Sequence, residues 1–112
     1  MNTYAIWVDL APGAHDLEFA EAVKGYLGVF LREGWAEGYR LKRRKFGFGP
    51  TGMGEWSIEI DFVDLAQMDR AFEQAARRTG DLENLHHEVY SRVVNFRSGL
   101  YRDFPDPVRG LE

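Results

Sequence analysis

The chain has 112 residues, 45% hydrophobic and 29% charged, with no cysteine and a formal net charge of −4. That length suits one domain hiding roughly two-thirds of its unfolded surface, and the composition is wrong for a disordered segment. The charge gives no reason to expect a polyanion as partner. The missing thiols exclude disulfides, a thiolate nucleophile and cysteine-ligated metal, and they fit a reducing cytoplasm. No basic segment followed by an apolar stretch is seen near Met1, so no secretory signal is expected, and no apolar run approaches the ~20 residues that cross a bilayer, so no membrane partner is expected.

Residues 3–10 alternate as a strand: Tyr4, Ile6, Val8 and Leu10 on one face, Ala5, Trp7 and Asp9 on the other. Pro12 and Gly13 end it. Residues 16–33 predict a helix capped by Asp16 and stopped by Gly34, with Leu17, Ala20, Val23, Leu27, Phe30 and Leu31 as its apolar stripe. Gly25 and Gly28 within it suggest close packing on the sheet. Residues 37–48 and 55–63 read as a hairpin joined by the glycine-rich turn 49–54. No Lys-Ser/Thr pair and no helix follow that turn, so it is not a phosphate loop. Residues 64–78 predict a second helix, with Asp64 and Gln67 as a capping pair and Leu65, Met68, Ala71, Phe72, Ala75 and Ala76 buried. A short helix over 81–92 follows, directing Leu82, Leu85, Val89 and Val93 inward. A last strand spans 94–101. Residues 1–101 thus form one domain, and 102–112, with two prolines, form an extended tail that could lie across a partner.

Strand, helix, strand, strand, helix, helix, strand leaves few arrangements. The usual one is a four-stranded antiparallel sheet with the helices on one face. Strand parity places Ile6, Val8, Leu41, Ile58, Ile60, Phe62, Val94 and Phe96 under the helices. The open face then carries Trp7, Asp9, Arg40, Lys42, Arg44, Phe46, Ser57, Glu59, Asp61, Asn95, Arg97 and Tyr101. In this element order and face pattern the chain resembles the dimeric α+β barrel superfamily, in which two ferredoxin-like βαββαβ sheets pack open face to open face. The resemblance implies a homodimer. Its members range from cofactor-independent monooxygenases, haem-degrading enzymes and isomerases to proteins without known activity, so the fold alone does not choose a function.

Three features could carry chemistry. Arg40, Lys42, Arg43, Arg44 and Lys45 are five cations in six residues. Glu59 and Asp61 lie across from them, so ion pairing and edge protection are expected ahead of an anionic ligand, and nucleic acid is not an expected partner. The open face gathers Trp7, Asp9, Arg44, Glu59, Asp61, Asn95 and Arg97. Trp7 would stack on a small planar substrate, Arg97 or Arg44 would hold an anionic group, and Glu59 or Asp61 would be a base of raised pKa. The resemblance to the cofactor-free monooxygenases singles out Trp7, Asn95 and Arg97. His86 is the third. It continues an apolar stripe, and with His87 it points about 100° away, unsuited to joint metal binding. Through the haem-degrading relatives it is a reserve haem ligand. No metal or cofactor is expected. The alternative to an enzyme is a dimeric ligand-binding or structural module in which the same open-face residues form an interface.

Overall fold

The computed structural model describes residues 1–77 and 79–106. Its elements follow in the order β1 (Asn2–Leu10), α1 (Asp16–Arg32), β2 (Gly38–Arg43), β3 (Trp56–Phe62), α2 (Leu65–Arg77), α3 (Gly80–Tyr90) and β4 (Val93–Arg102). The strands form one antiparallel sheet in the order β2-β3-β1-β4. With the helices on one face this is the expected ferredoxin-like α+β fold. Among the described residues no helix is long and apolar enough to cross a membrane. Position 78 and residues 107–112, the end of the expected second helix and most of the expected tail, lie outside the described residues.

The helix ends follow from local hydrogen bonding. Gly34 takes the left-handed conformation, φ +75°, that residues with a Cβ disfavour. Its N–H donates to the Leu31 carbonyl, and the Trp35 N–H donates to Phe30 at 2.8 Å. With the Phe30 and Trp35 rings 5.4 Å apart, this is a Schellman motif complete with its hydrophobic contact. At α2 the Asp64 carboxylate accepts the Gln67 N–H at 2.8 Å, and the Gln67 side-chain oxygen accepts the Val63 N–H at 2.7 Å. The expected capping pair is present, reaching one residue further back than the usual box. Asp16 differs from expectation. It is the first helical residue, and the one backbone N–H its carboxylate accepts is the next, that of Leu17.

The core lies between α1 and the sheet. Phe19, Val23, Tyr26, Leu27 and Phe30 meet Ile6, Val8, Trp56, Ile58, Ile60 and Phe62, all buried. The α1 stripe is therefore rotated from the expected one. Phe19 and Tyr26 replace Leu17, which is 78% exposed, and Leu31. The packing expected of the helix glycines holds for one of them only, and against a helix instead of the sheet. A Cβ on Gly25 would touch Leu85 of α3, whereas Gly28 has open space. On α2 only Ala71 and Gln67 are buried, while Leu65, Phe72 and Ala76 stay exposed.

Two strand expectations need correction. β2 stops at Arg43 instead of reaching 48, because Phe46 and Gly47 have φ of 54° and 71° and turn the chain, with the Phe48 N–H closing on the Lys45 carbonyl. Phe46 is thus at an exposed tip, off the open face. In β4 the register shifts: Trp7 pairs with Arg97, but Asp9 pairs with Val94. Asn95, at φ 59°, absorbs the extra residue as a β-bulge. Val94 therefore lies opposite Asp9 on the open face instead of under the helices, while Val93 faces the core.

Candidate functional site

The open face is two different surfaces. Toward β2 it is an ion lattice. Arg40 binds Glu59 at 3.0 Å and Asp61 at 2.8 Å, and Lys42 binds Glu59 at 2.9 Å. The Thr3 hydroxyl donates to Asp61. Lys42 and Arg40 together hold the Glu59 carboxyl below its ordinary value. Burial opposes the Asp61 charge, but hydrogen bonds from Arg40 and Thr3 outweigh it and lower that carboxyl too. The expected base of raised pKa is thus absent here. Two ionised, paired carboxylates make poor proton acceptors at neutral pH. Arg43 is paired as well, to Glu55 at 2.6 Å and Asp16 at 3.3 Å.

Toward β4 the face is aromatic and less saturated. Trp7 and Tyr101 meet edge to face at 6.5 Å and flank Gly99. Asp9 ties three segments together: its carboxylate accepts the Glu55 N–H at 2.9 Å and the Asn95 amide at 3.0 Å. These two bonds, helped by the Arg44 charge, hold its pKa down against burial. Arg44 does not point along the face. Its guanidinium donates to the Met53 and Gly54 carbonyls and so braces the turn 49–54. That turn crosses one end of the open face. Gly54 packs on the Val8 backbone with no room for a Cβ, and Gly52 sits against the Arg97 guanidinium. Five predicted residues, Trp7, Asp9, Arg44, Asn95 and Arg97, therefore gather at one end. Glu59 and Asp61 belong to the lattice.

His86 is elsewhere, on the opposite side of the sheet, in a feature that sequence reasoning missed. Between the three helices and the sheet lies a cavity of about 470 Å³. Rings form much of its wall. His86 stacks on Tyr90 at 4.6 Å, Tyr26 meets both edge-on, and Tyr90 lies 6.0 Å from Phe96. Tyr4 and Phe72 close another side at 5.1 Å. The polar side chains that line it are Tyr4, Tyr26, Tyr90 and His86; among the described lining residues there is no Asp, Glu, Lys or Arg. Burial, with Tyr26 and Tyr4 nearby, pushes the Tyr90 phenol well above its ordinary range. Phe72 and Phe96, expected to be buried, are 44% and 47% exposed because they border this space. The sequence signal was an excess of rings at inward positions of β1, α1, α2, α3 and β4, which periodicity alone reads as core. Among the described residues no group of three or more His, Asp or Glu side chains is placed to hold a metal.

The model of a family described as a family of unknown function (DUF6614) matches residues 1–111. Among curated proteins nothing matches. Solved structures share the fold. The Arabidopsis thaliana protein At3g17210 superposes with a TM-score of 0.74 at 8% identity, over 95% of this chain and 98% of that one. A dimeric ferredoxin-like protein of unknown function from Jannaschia sp. gives 0.67 at 9%, over 91% and 98%. A dimeric protein of unknown function and ferredoxin-like fold from Bacteroides fragilis gives 0.59 at 8%, over 91% and 95%. At such identities the likeness concerns the fold alone.

Proposed function

The chain belongs to DUF6614, a family of unknown function, and from that premise we propose that it is a homodimeric small-molecule-binding domain. Open sheet faces meet across the dimer, and each subunit holds a small planar ligand in the aromatic cavity between helices and sheet. The cavity carries this reading. Its volume of about 470 Å³ falls within the roughly 300–1,000 Å³ usual for ligand sites, as does a ring-rich wall with few polar groups. The dimer is supported by the two dimeric neighbours of like fold. It is supported too by a face on which Trp7 and Tyr101 stand beside Arg97, which has no carboxylate partner among the described residues.

Ala75→Phe places a ring in the cavity from α2. Wild-type protein should gain thermal stability with naphthalene-sized aromatic probes, and the variant should lose that gain while native mass spectrometry still finds two subunits. A variant that binds as the wild type does would sink the cavity reading, and a stable monomer at high concentration would sink the dimer.

A second reading places chemistry at the open face, of the cofactor-independent monooxygenase or isomerase kind. The observation that favours it is the β4 bulge, which sets Asn95 against Asp9 one step from the Trp7–Arg97 pair. With Glu59 and Asp61 held low, Trp7, Asn95 and Arg97 would carry it. Loss of turnover of an aromatic substrate in Arg97→Ala, with the dimer intact, supports this reading. Unchanged turnover removes it.

A further inference from the structure

We infer that the open face holds a second site, at its end beside the turn 49–54, for an aromatic ligand bearing a single carboxylate, with Arg97 as its cation and Trp7 as its flat wall. The inference rests on the dimer proposed above, and it assigns the open face a ligand whether or not chemistry occurs there.

The charges of the face are the first argument. Arg40 and Lys42 are paired with Glu59 and Asp61. Glu55 turns to Arg43. Arg44 is held by the Met53 and Gly54 carbonyls, and its charge acts on Asp9, which also accepts the Glu55 N–H and the Asn95 amide. Arg40 and Lys42 thus offset Glu59 and Asp61, and Arg44 offsets Asp9. Arg97 is left over, with no hydrogen-bond or ion-pair partner among the described residues. When two such faces meet, its guanidinium leaves water, and a buried cation is costly unless an anion meets it. A two-fold partner repeats the same set, so each carboxylate that it brings to the face is already engaged. The second copy doubles the unmet charge instead of cancelling it. A ligand anion cancels it.

Geometry is the second. Trp7 lies directly across from Arg97 in the β1–β4 register, so ring and cation are neighbours on one face. Gly99 keeps the flank of the ring free of a side chain, for a Cβ there would stand 3.6 Å from Trp7 and 3.5 Å from Tyr101. On its other side the guanidinium meets the turn, where a Cβ on Gly52 would stand 3.5 Å away. A guanidinium fork matches the plane of a carboxylate, and the adjacent indole suits a ring attached to it. Charge sets the limit. Asp9, bonded to Asn95, keeps a carboxylate at this end of the face, so one negative charge on the ligand fits and two repel it.

Calorimetry with naphthoate, naphthyl phosphate, acetate and naphthalene decides it. In the wild type, naphthoate should bind more tightly than naphthyl phosphate or acetate. Arg97→Gln should weaken naphthoate at least about tenfold while native mass spectrometry still finds two subunits. Naphthalene, a ligand for the helix-side cavity, should bind Arg97→Gln as it binds the wild type. Arg40→Gln, which changes a paired cation of the same face, should leave naphthoate unaffected. Trp7→Leu should narrow the preference for naphthoate over acetate. If naphthoate binding is unmoved by Arg97→Gln, or naphthyl phosphate binds more tightly than naphthoate, the inference is overturned and the dimer stands. A dimer that ignores naphthoate and weakens in Arg97→Gln overturns it too, because the guanidinium is then paired across the interface. A stable monomer sinks the dimer and takes the inference with it.

Discussion

Gln67→Ala should destabilise the fold more than any surface position on α2. Gln67 is 2% exposed. Its side-chain oxygen accepts the Val63 N–H at 2.7 Å, and its nitrogen donates to the Gly34 carbonyl at 3.0 Å and to Glu37 at 2.8 Å. One amide thus joins the end of β3, the C-terminus of α1 and the start of β2 to α2. Each lost bond is worth about 1 kcal/mol net, and the one to a carboxylate more, so the substitution should cost about 3 kcal/mol. For a domain of this size that is a fall of roughly 12–18 °C in Tm. Urea unfolding followed by tryptophan fluorescence measures it. Hydrogen exchange should show α2 opening sooner while α1 stays protected, because the tether holds only the N-terminal end of the cavity's outer wall. A loss under about 0.5 kcal/mol, or equal loosening of both helices, would refute this account of how α2 is held.

Other expectations follow from the same contacts. Glu59 and Asp61 have folded pKa values below their ordinary 4.5 and 3.8, so the stability they contribute is full above those values and is lost as pH falls through the depressed ones. The stability gap between wild type and Arg40→Ala should therefore be widest near neutrality and close below about pH 4. A gap that stays constant down to pH 2 would show the lattice to be idle. Gly34→Ala should cost about 1 kcal/mol through its left-handed backbone, whereas Gly28→Ala, facing open space within α1, should gain about 0.5–1 kcal/mol. Opposite signs in denaturant unfolding check the pair. Phe46→Ser with Phe48→Ser, both 81% exposed, should change stability by less than about 0.5 kcal/mol while raising solubility; a large destabilisation would mean the tip is buried in the assembly.

Much of the fold was legible because the strands alternate cleanly. Ile58, Ile60 and Phe62 against Ser57, Glu59 and Asp61 allow one orientation only, and β3 obeys it. The end of α1 at Gly34 and the start of α2 at Asp64 were legible because each rests on a local bond. What failed were features set by residues far apart in the chain. The rotation of the α1 stripe depends on Trp56 receiving Phe19, with their rings 5.3 Å apart. Strand parity is enough to bring Trp7, Asp9, Asn95 and Arg97 near one another on the open face, but the turn 49–54 and its brace by Arg44 could not be foreseen from spacing. The cavity was invisible for a different reason. Inward rings predict burial, and nothing local says that the elements carrying them fail to close.

The extra residue at Asn95 has a consequence for how any change in β4 is interpreted. Before it, Val93 answers to the core; after it, Phe96, Ser98 and Leu100 share that side, so the strand is written in two phases joined at one position. Deleting Asn95 would merge the phases. Val93, Phe96, Ser98 and Leu100 would keep the core side and Val94 and Arg97 the open one, in a single regular alternation without the bulge or the Asn95 amide on Asp9. Loss of a second residue from β4 would exchange its two sides, whereas loss of Asn95 alone keeps them.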